Sequence, residues 1–122
     1  MIPSSLISEA VIQAEFYTQS KLIGLNCTLE LSTPKGRLDI GIMSPCWTSL
    51  VAIVEVKRGV GMFRRSQISR YKEIGVPVFG LERIGRAAGL ASQIKRDYSK
   101  SAGVALYDIM SMSRFYRPRR RQ

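Results

Sequence analysis

The sequence predicts one α/β domain, with a mixed central sheet of about four to five strands and helices on its faces. Three observations predict it. Two runs, Gly36-Arg37-Leu38-Asp39-Ile40-Gly41-Ile42-Met43 and Leu50-Val51-Ala52-Ile53-Val54-Glu55-Val56-Lys57, read as strands joined by a short break. The second is apolar and β-branched enough to be buried on both faces. Segments with apolar residues at helical spacing lie before and after the two runs. A strand, helix, strand order follows from Leu50 onward, and such a crossover returns the chain parallel to where it began, whereas the two runs themselves form an antiparallel hairpin. At 122 residues and 45% hydrophobic content, the chain supports one modest core and not two.

Taken in order, Pro3-Ser4-Ser5 offers N-cap choices for a first helix from Leu6 to about Ser20, with Leu6, Ala10, Val11, Ala14 and Tyr17 as its apolar stripe. Glu9 and Gln13 are four apart and share a face of it. A first strand runs from about Leu25 to Leu31, and Thr33-Pro34-Lys35-Gly36 is a turn signal. The two strand runs follow, broken at Ser44-Pro45-Cys46-Trp47-Thr48-Ser49. Ser66 to Ile74 predicts a second helix ended by Gly75, with Gln67 and Tyr71 on one face. Val76 to Leu81 is a short buried strand with Pro77 near its start, where a missing N–H is tolerated. Ile84 to Ser99 predicts a third helix with Leu90, Ile94 and Tyr98 on one stripe, and Gly103 to Met112 a last strand. The domain is expected to occupy residues 1–113. Residues 114–122 form a basic C-terminal tail whose arginines have the composition of a disordered contact for phosphates.

Charge and missing residue types narrow the chemistry. Nineteen basic against nine acidic residues leave a net charge of +10, which points to a polyanionic partner. No run approaches the ~18 apolar residues of a membrane span, and no basic n-region precedes an apolar one. A cytoplasmic protein with no membrane partner is expected. The absence of histidine removes histidine-based metal sites, Ser-His-Asp hydrolases and imidazole general bases together. Cys27 and Cys46 lack metal-ligand spacing and read as buried thiols. The glycine-broken stretch from Arg58 to Arg65 holds no phosphate-loop pattern, so it reads as a basic approach to nucleic acid, and no organic cofactor is expected.

The remaining chemistry gathers on Asp39, Glu55 and Lys57. Period two puts Glu55 and Lys57 on one face of their strand. A symmetric hairpin would set Asp39 opposite Val54, and a one-residue bulge would set it opposite Glu55. Two carboxylates at the end of a dry strand pair are costly unless something compensates them. A salt bridge to Lys57 is one answer. A divalent cation is the other, and paired carboxylates suit Mg²⁺, with Mn²⁺ able to substitute.

The pattern Asp39, fifteen residues, Glu55-Val56-Lys57 and then Gln67-x-x-x-Tyr71 resembles the core motif of the PD-(D/E)XK nuclease superfamily, over roughly residues 5–80. Its nearest likeness is to small Holliday-junction resolvases and the VRR-NUC type of phage nuclease. Position 38 is Leu where the family's name has Pro, a residue that contributes no ligand. The resemblance implies a restriction-endonuclease-like core and a Mg²⁺-dependent endodeoxyribonuclease that hydrolyses phosphodiester bonds in branched or structured DNA. It implies that Asp39, Glu55 and the backbone carbonyl of Val56 bind the metal, and that Lys57 orients the attacking water. Glu9 would reach the site through water, with Glu15 as the other candidate, and Gln67 and Tyr71 would position the phosphate or the lysine. Arg58, Arg64, Arg65 and Arg70, with Arg117, Arg119, Arg120 and Arg121 of the tail, are the expected DNA contacts. Cutting both strands of a symmetric junction calls for two sites, so a homodimer is expected, paired through apolar material around Met110, Met112 and Phe115. Two other classes compete: a non-catalytic nucleic-acid-binding module on the same scaffold, and an assembly protein whose basic tail binds RNA or an acidic partner.

Overall fold

The Pro34-Lys35 turn sets the first pairing. Thr33 donates from Oγ1 to the Gly36 carbonyl (2.7 Å) and accepts from the Lys35 N–H (3.1 Å), while Gly36 takes a φ of +126°. This turn joins β1 (Cys27–Thr33) to β2 (Gly36–Met43), which pair antiparallel. The computed structural model describes residues 8–57 and 71–112.

β3 (Ser49–Val56) is the centre of the sheet, and all of it beyond Ser49 is buried, as its β-branched composition requires. On one edge it pairs antiparallel with β2. Its other edge is shared end to end: β4 (Val78–Leu81) runs parallel to Ile53–Val56, and β5 (Val104–Ala105) pairs antiparallel with Ser49–Leu50. The sheet is therefore mixed, in the order β1-β2-β3-β4 with β5 beside β3. The parallel relation of β3 and β4 follows the crossover argument.

Helices cover both faces. On one, α1 (Glu9–Leu22) and α2 (Ala87–Tyr98) press Ile12, Phe16, Ala87, Ala91 and Ile94 onto Ile40, Ile42, Val54 and Val56. On the other, α3 (Leu106–Met110) and the segment from Tyr71 to Val76 pack on Leu38, Met43, Leu50 and Ile53. The buried Lys35 ammonium pairs with Glu73 at 2.8 Å, tying the first turn to that second layer. Among the described residues no helix is long and apolar enough to cross a membrane.

Several local expectations give way to packing. The first helix begins at Glu9, capped by Ser8, whose Oγ accepts from Val11 N–H (3.3 Å); residues 1–7 lie outside the described residues. Its buried face is Ile12, Gln13, Phe16 and Ser20, and Val11 of the expected stripe is 48% exposed. Ile12 and Phe16 bury more apolar area than Ala10, Val11 and Ala14 could, so they take the core side. Of the second helix, only the helical Tyr71–Lys72 end and the closing Gly75 (φ +93°) lie within the described residues. A 3-10 turn, Ile84–Arg86, precedes α2 where one continuous helix is expected.

The last strand is a larger correction. Only Val104–Ala105 pair; Leu106 N–H then donates to the Thr48 carbonyl and the chain coils into α3. Leu106 and Ile109, three apart, face the core while Tyr107 is 81% exposed, so a helical period overrides alternation. Cys46 is also corrected: it is exposed in the turn before β3, where hydrogen bonds from Thr48 and Ser44 lower its thiol pKa, whereas Cys27 is buried as expected.

Gly103 permits the short β5 pairing. It sits at φ +66°, and a Cβ there would overlap the Leu50 carbonyl oxygen. Gly103→Ala is expected to cost about 2 kcal/mol, through strained backbone and lost β5 pairing, read as a lowered denaturation midpoint at unchanged slope. An unchanged midpoint would show that β5 contributes nothing to the fold.

Candidate active site

The position of Asp39 follows from one extra residue in β3. Met43 pairs with Leu50, but Ile42 pairs with Ala52, so Val51 is bulged out of the ladder. Beyond the bulge Gly41 faces Ile53 and Ile40 faces Val54, which carries Asp39 to the level of Glu55. The bulged alternative of the hairpin is the one observed.

At that level side chains replace the backbone ladder. Glu55 Oε2 accepts from the Asp39 N–H at 3.1 Å, and Asp39 Oδ2 accepts from the Val56 N–H at 2.8 Å. Each carboxylate thus clasps the other strand's backbone. The Asp39 carbonyl is held from a third direction by Gln13 Nε2 at 2.7 Å, so α1, β2 and β3 all meet at one residue. Two residues earlier, the Arg37 carbonyl accepts from the Tyr71 hydroxyl at 3.1 Å.

The strands also exchange faces here. Ile40 and Ile42 pack in the layer under α1, yet Leu38 packs in the opposite layer, which strict period two forbids. In β1, Cys27 and Leu31 show the same switch. Between them Glu30, level with Asp39, adopts φ +54°, a left-handed conformation that is costly for a side chain with a Cβ. Its carboxylate lies 3.8 Å from the Arg37 guanidinium.

Among the described residues Glu55 carries the strongest electrostatic perturbation. It is 2% exposed, and burial pushes its carboxyl up from 4.5 to about 7. The Asp39 N–H pulls it back, the Asp39 charge pushes it up again, and the Lys57 ammonium pulls it down. Lys57 is half-buried just past β3, with its N–H donating to the Leu81 carbonyl, and among the described residues its ammonium forms no ion pair. Two adjoining carboxylates with, among the described residues, one ammonium for compensation form a donor set of hard oxygens, and each keeps one oxygen outside the backbone clasp. That set fits Mg²⁺, which takes one or two carboxylates and completes its shell with water.

The structure brings Asp39, Glu55, Val56 and Lys57 together. It does not add a third acid: among the described residues no group of three or more Asp, Glu, Cys or His side chains could hold a metal ion. Glu9 is exposed in the first turn of α1, one turn before Gln13, and Glu15 accepts from Gln19 at 2.9 Å. Tyr71 is 3% exposed with its hydroxyl donating to β2, so it supports the strand that carries Asp39 rather than lining an open surface. Gln67, Arg58, Arg64, Arg65, Arg70, Phe115 and Arg117, Arg119, Arg120 and Arg121 lie outside the described residues. Gln13 is the functional neighbour that sequence reasoning under-weighted. Its signal is a polar residue between Ile12 and Phe16 on the buried face of a helix.

The geometry defines a mixed-sheet α/β protein with a two-carboxylate site at the carboxyl end of its central strand. Comparison with protein-family models, with curated proteins and with solved structures returns no match.

Proposed function

We propose that this chain is a metal-dependent DNA endonuclease of the PD-(D/E)XK kind, acting in the cytoplasm on branched or structured DNA. The observation that carries the reading is the reciprocal clasp of Asp39 and the buried Glu55, with Lys57 two residues along. A pure binding module gains nothing from two carboxylates beside a phosphate, because they repel it. A bound Mg²⁺ supplies charge neutralisation at the phosphate and a more acidic water.

The chain's own residues do the rest. Asp39 and Glu55 hold the ion, their orientation fixed by the Val56 and Asp39 N–H groups and by Gln13 behind Asp39. Lys57 orients the attacking water and offsets negative charge as the phosphorus–oxygen bond to the leaving strand breaks. Labelled duplex and four-way junction DNA, incubated with Mg²⁺, Mn²⁺ or a chelator, test this directly. Cutting that ignores the chelator would sink the metal mechanism, and binding without cutting under every condition would leave the non-catalytic module.

Pairing of two copies would supply the second site that a symmetric junction needs. Met110 is exposed and Met112 half-buried next to it, and we expect this surface to join a homodimer. Sedimentation at micromolar concentration checks it: a single species near the chain mass of 13.7 kDa would remove the dimer and leave a nicking enzyme.

A further inference from the structure

A second basic feature, formed by Arg83 and Arg86, lies against the candidate site. Glu55 and Val56 run beside Gly80 and Leu81, and Lys57 N–H bonds the Leu81 carbonyl. The chain leaving β4 therefore starts next to the site. There the structure opens a cleft of about 650 Å³, lined by Gly80, Arg83 and Arg86 together with Gly89 and Gln93 of α2. Glu82 also lines it, leaving one net positive charge on the lining.

Two details say what the cleft takes. Arg83 and Arg86 are exposed and, among the described residues, form no ion pair, so both guanidinium forks are available to an outside anion. Guanidinium geometry matches phosphate oxygens better than an ammonium does. Gly89 is the third residue of α2, where glycine costs about 1 kcal/mol relative to alanine. A Cβ at Gly89 would meet nothing within 4 Å, so no packing inside the protein requires the glycine. The space it leaves opens on the cleft, where it permits close approach of a ligand to backbone.

We infer that this cleft seats a phosphodiester of the DNA strand adjacent to the one being cut, with Arg83 and Arg86 neutralising the backbone and Gln93 donating to it. The inference rests on the nuclease reading for its partner, and the +10 charge of the chain supplies the complementarity. The cleft and the carboxylates lie at the same carboxyl end of the parallel pair β3 and β4, the side on which such sheets gather ligands.

The test compares the full chain with Arg83→Gln/Arg86→Gln and with a charge-matched control, Arg96→Gln/Lys100→Gln, on labelled duplex DNA in chelator across a salt titration. If each cleft arginine neutralises one phosphate, the double variant lowers the log-log salt slope by about 1.8. The control should move it by less than half as much. Gly89→Glu supplies an independent variant, since its side chain enters open space, and should weaken binding about tenfold or more at low salt. In Mg²⁺, cleft variants should need more DNA while keeping the wild-type rate at saturation. Equal slope changes in cleft variant and control, or no change in either, would overturn the cleft. Failure of the nuclease reading looks different: no cleavage by any variant or by the wild type, whatever the slopes.

Discussion

Asp39→Asn, Glu55→Gln and Lys57→Ala are each expected to lower single-turnover cleavage by at least about a hundredfold, the scale on which removing one transition-state contact acts. The amide replacements are nearly isosteric and can still accept from the Val56 and Asp39 N–H groups, so the strand clasp survives while the ligand charge is lost. DNA binding in chelator should therefore persist. It should strengthen slightly in the two carboxylate variants, where repulsion toward phosphate is relieved. Any of the three that kept near wild-type cleavage would have its role reassigned. A Lys57→Ala protein that cut normally would reduce Lys57 to charge compensation for Glu55.

Glu55→Gln should also make the metal-free protein more stable at pH 8. The folded carboxyl titrates at about 7 and its ordinary value is 4.5, so between these the folded protein keeps a proton that the unfolded chain has released. Stability contributed by this group is complete below pH 4.5, falls as pH rises through the window, and is lost above about 7. The loss is on the order of 3 kcal/mol, or roughly 10 °C in a domain of this size. Thermal melts of wild type and Glu55→Gln in chelator should coincide near pH 4 and separate by pH 8, the variant melting higher. Mg²⁺ should close the gap by raising the wild type alone. Parallel curves across the whole range would show that Glu55 is solvated after all.

Much of the fold was legible in the sequence because it rests on short-range chemistry. The turn at Pro34-Lys35, the two strand runs and the crossover to β4 each follow from residue type and chain direction. Asp39, Glu55 and Lys57 could be placed together because period two and a hairpin leave few registers. What could not be read depends on competition between distant surfaces. Gln13 becomes a ligand of the Asp39 carbonyl only because Ile12 and Phe16 win the core side of α1. Leu106 to Met110 carries enough apolar residues for either period, and the helix wins because β3 begins at Ser49, so past the Leu106 bond to the Thr48 carbonyl the edge offers nothing more to pair with. The left-handed Glu30 has no local signal at all, being a non-glycine residue forced by the exchange of faces beside Asp39.

The bulge at Val51 also bears on which length changes the chain can survive. Because Val51 has no cross-strand partner, β3 holds one residue in reserve. Loss of Val51 or Ala52, which pack in the same layer, can be absorbed by drawing the spare into the ladder, and Asp39 still meets Glu55. β2 has no such reserve. Loss of Gly41 would set Asp39 against Val54 and leave Glu55 without its acceptor role. The two strands of one hairpin thus differ in their tolerance of deletion, and lineages that keep the site would be expected to vary in length on the β3 side of the turn and not on the β2 side.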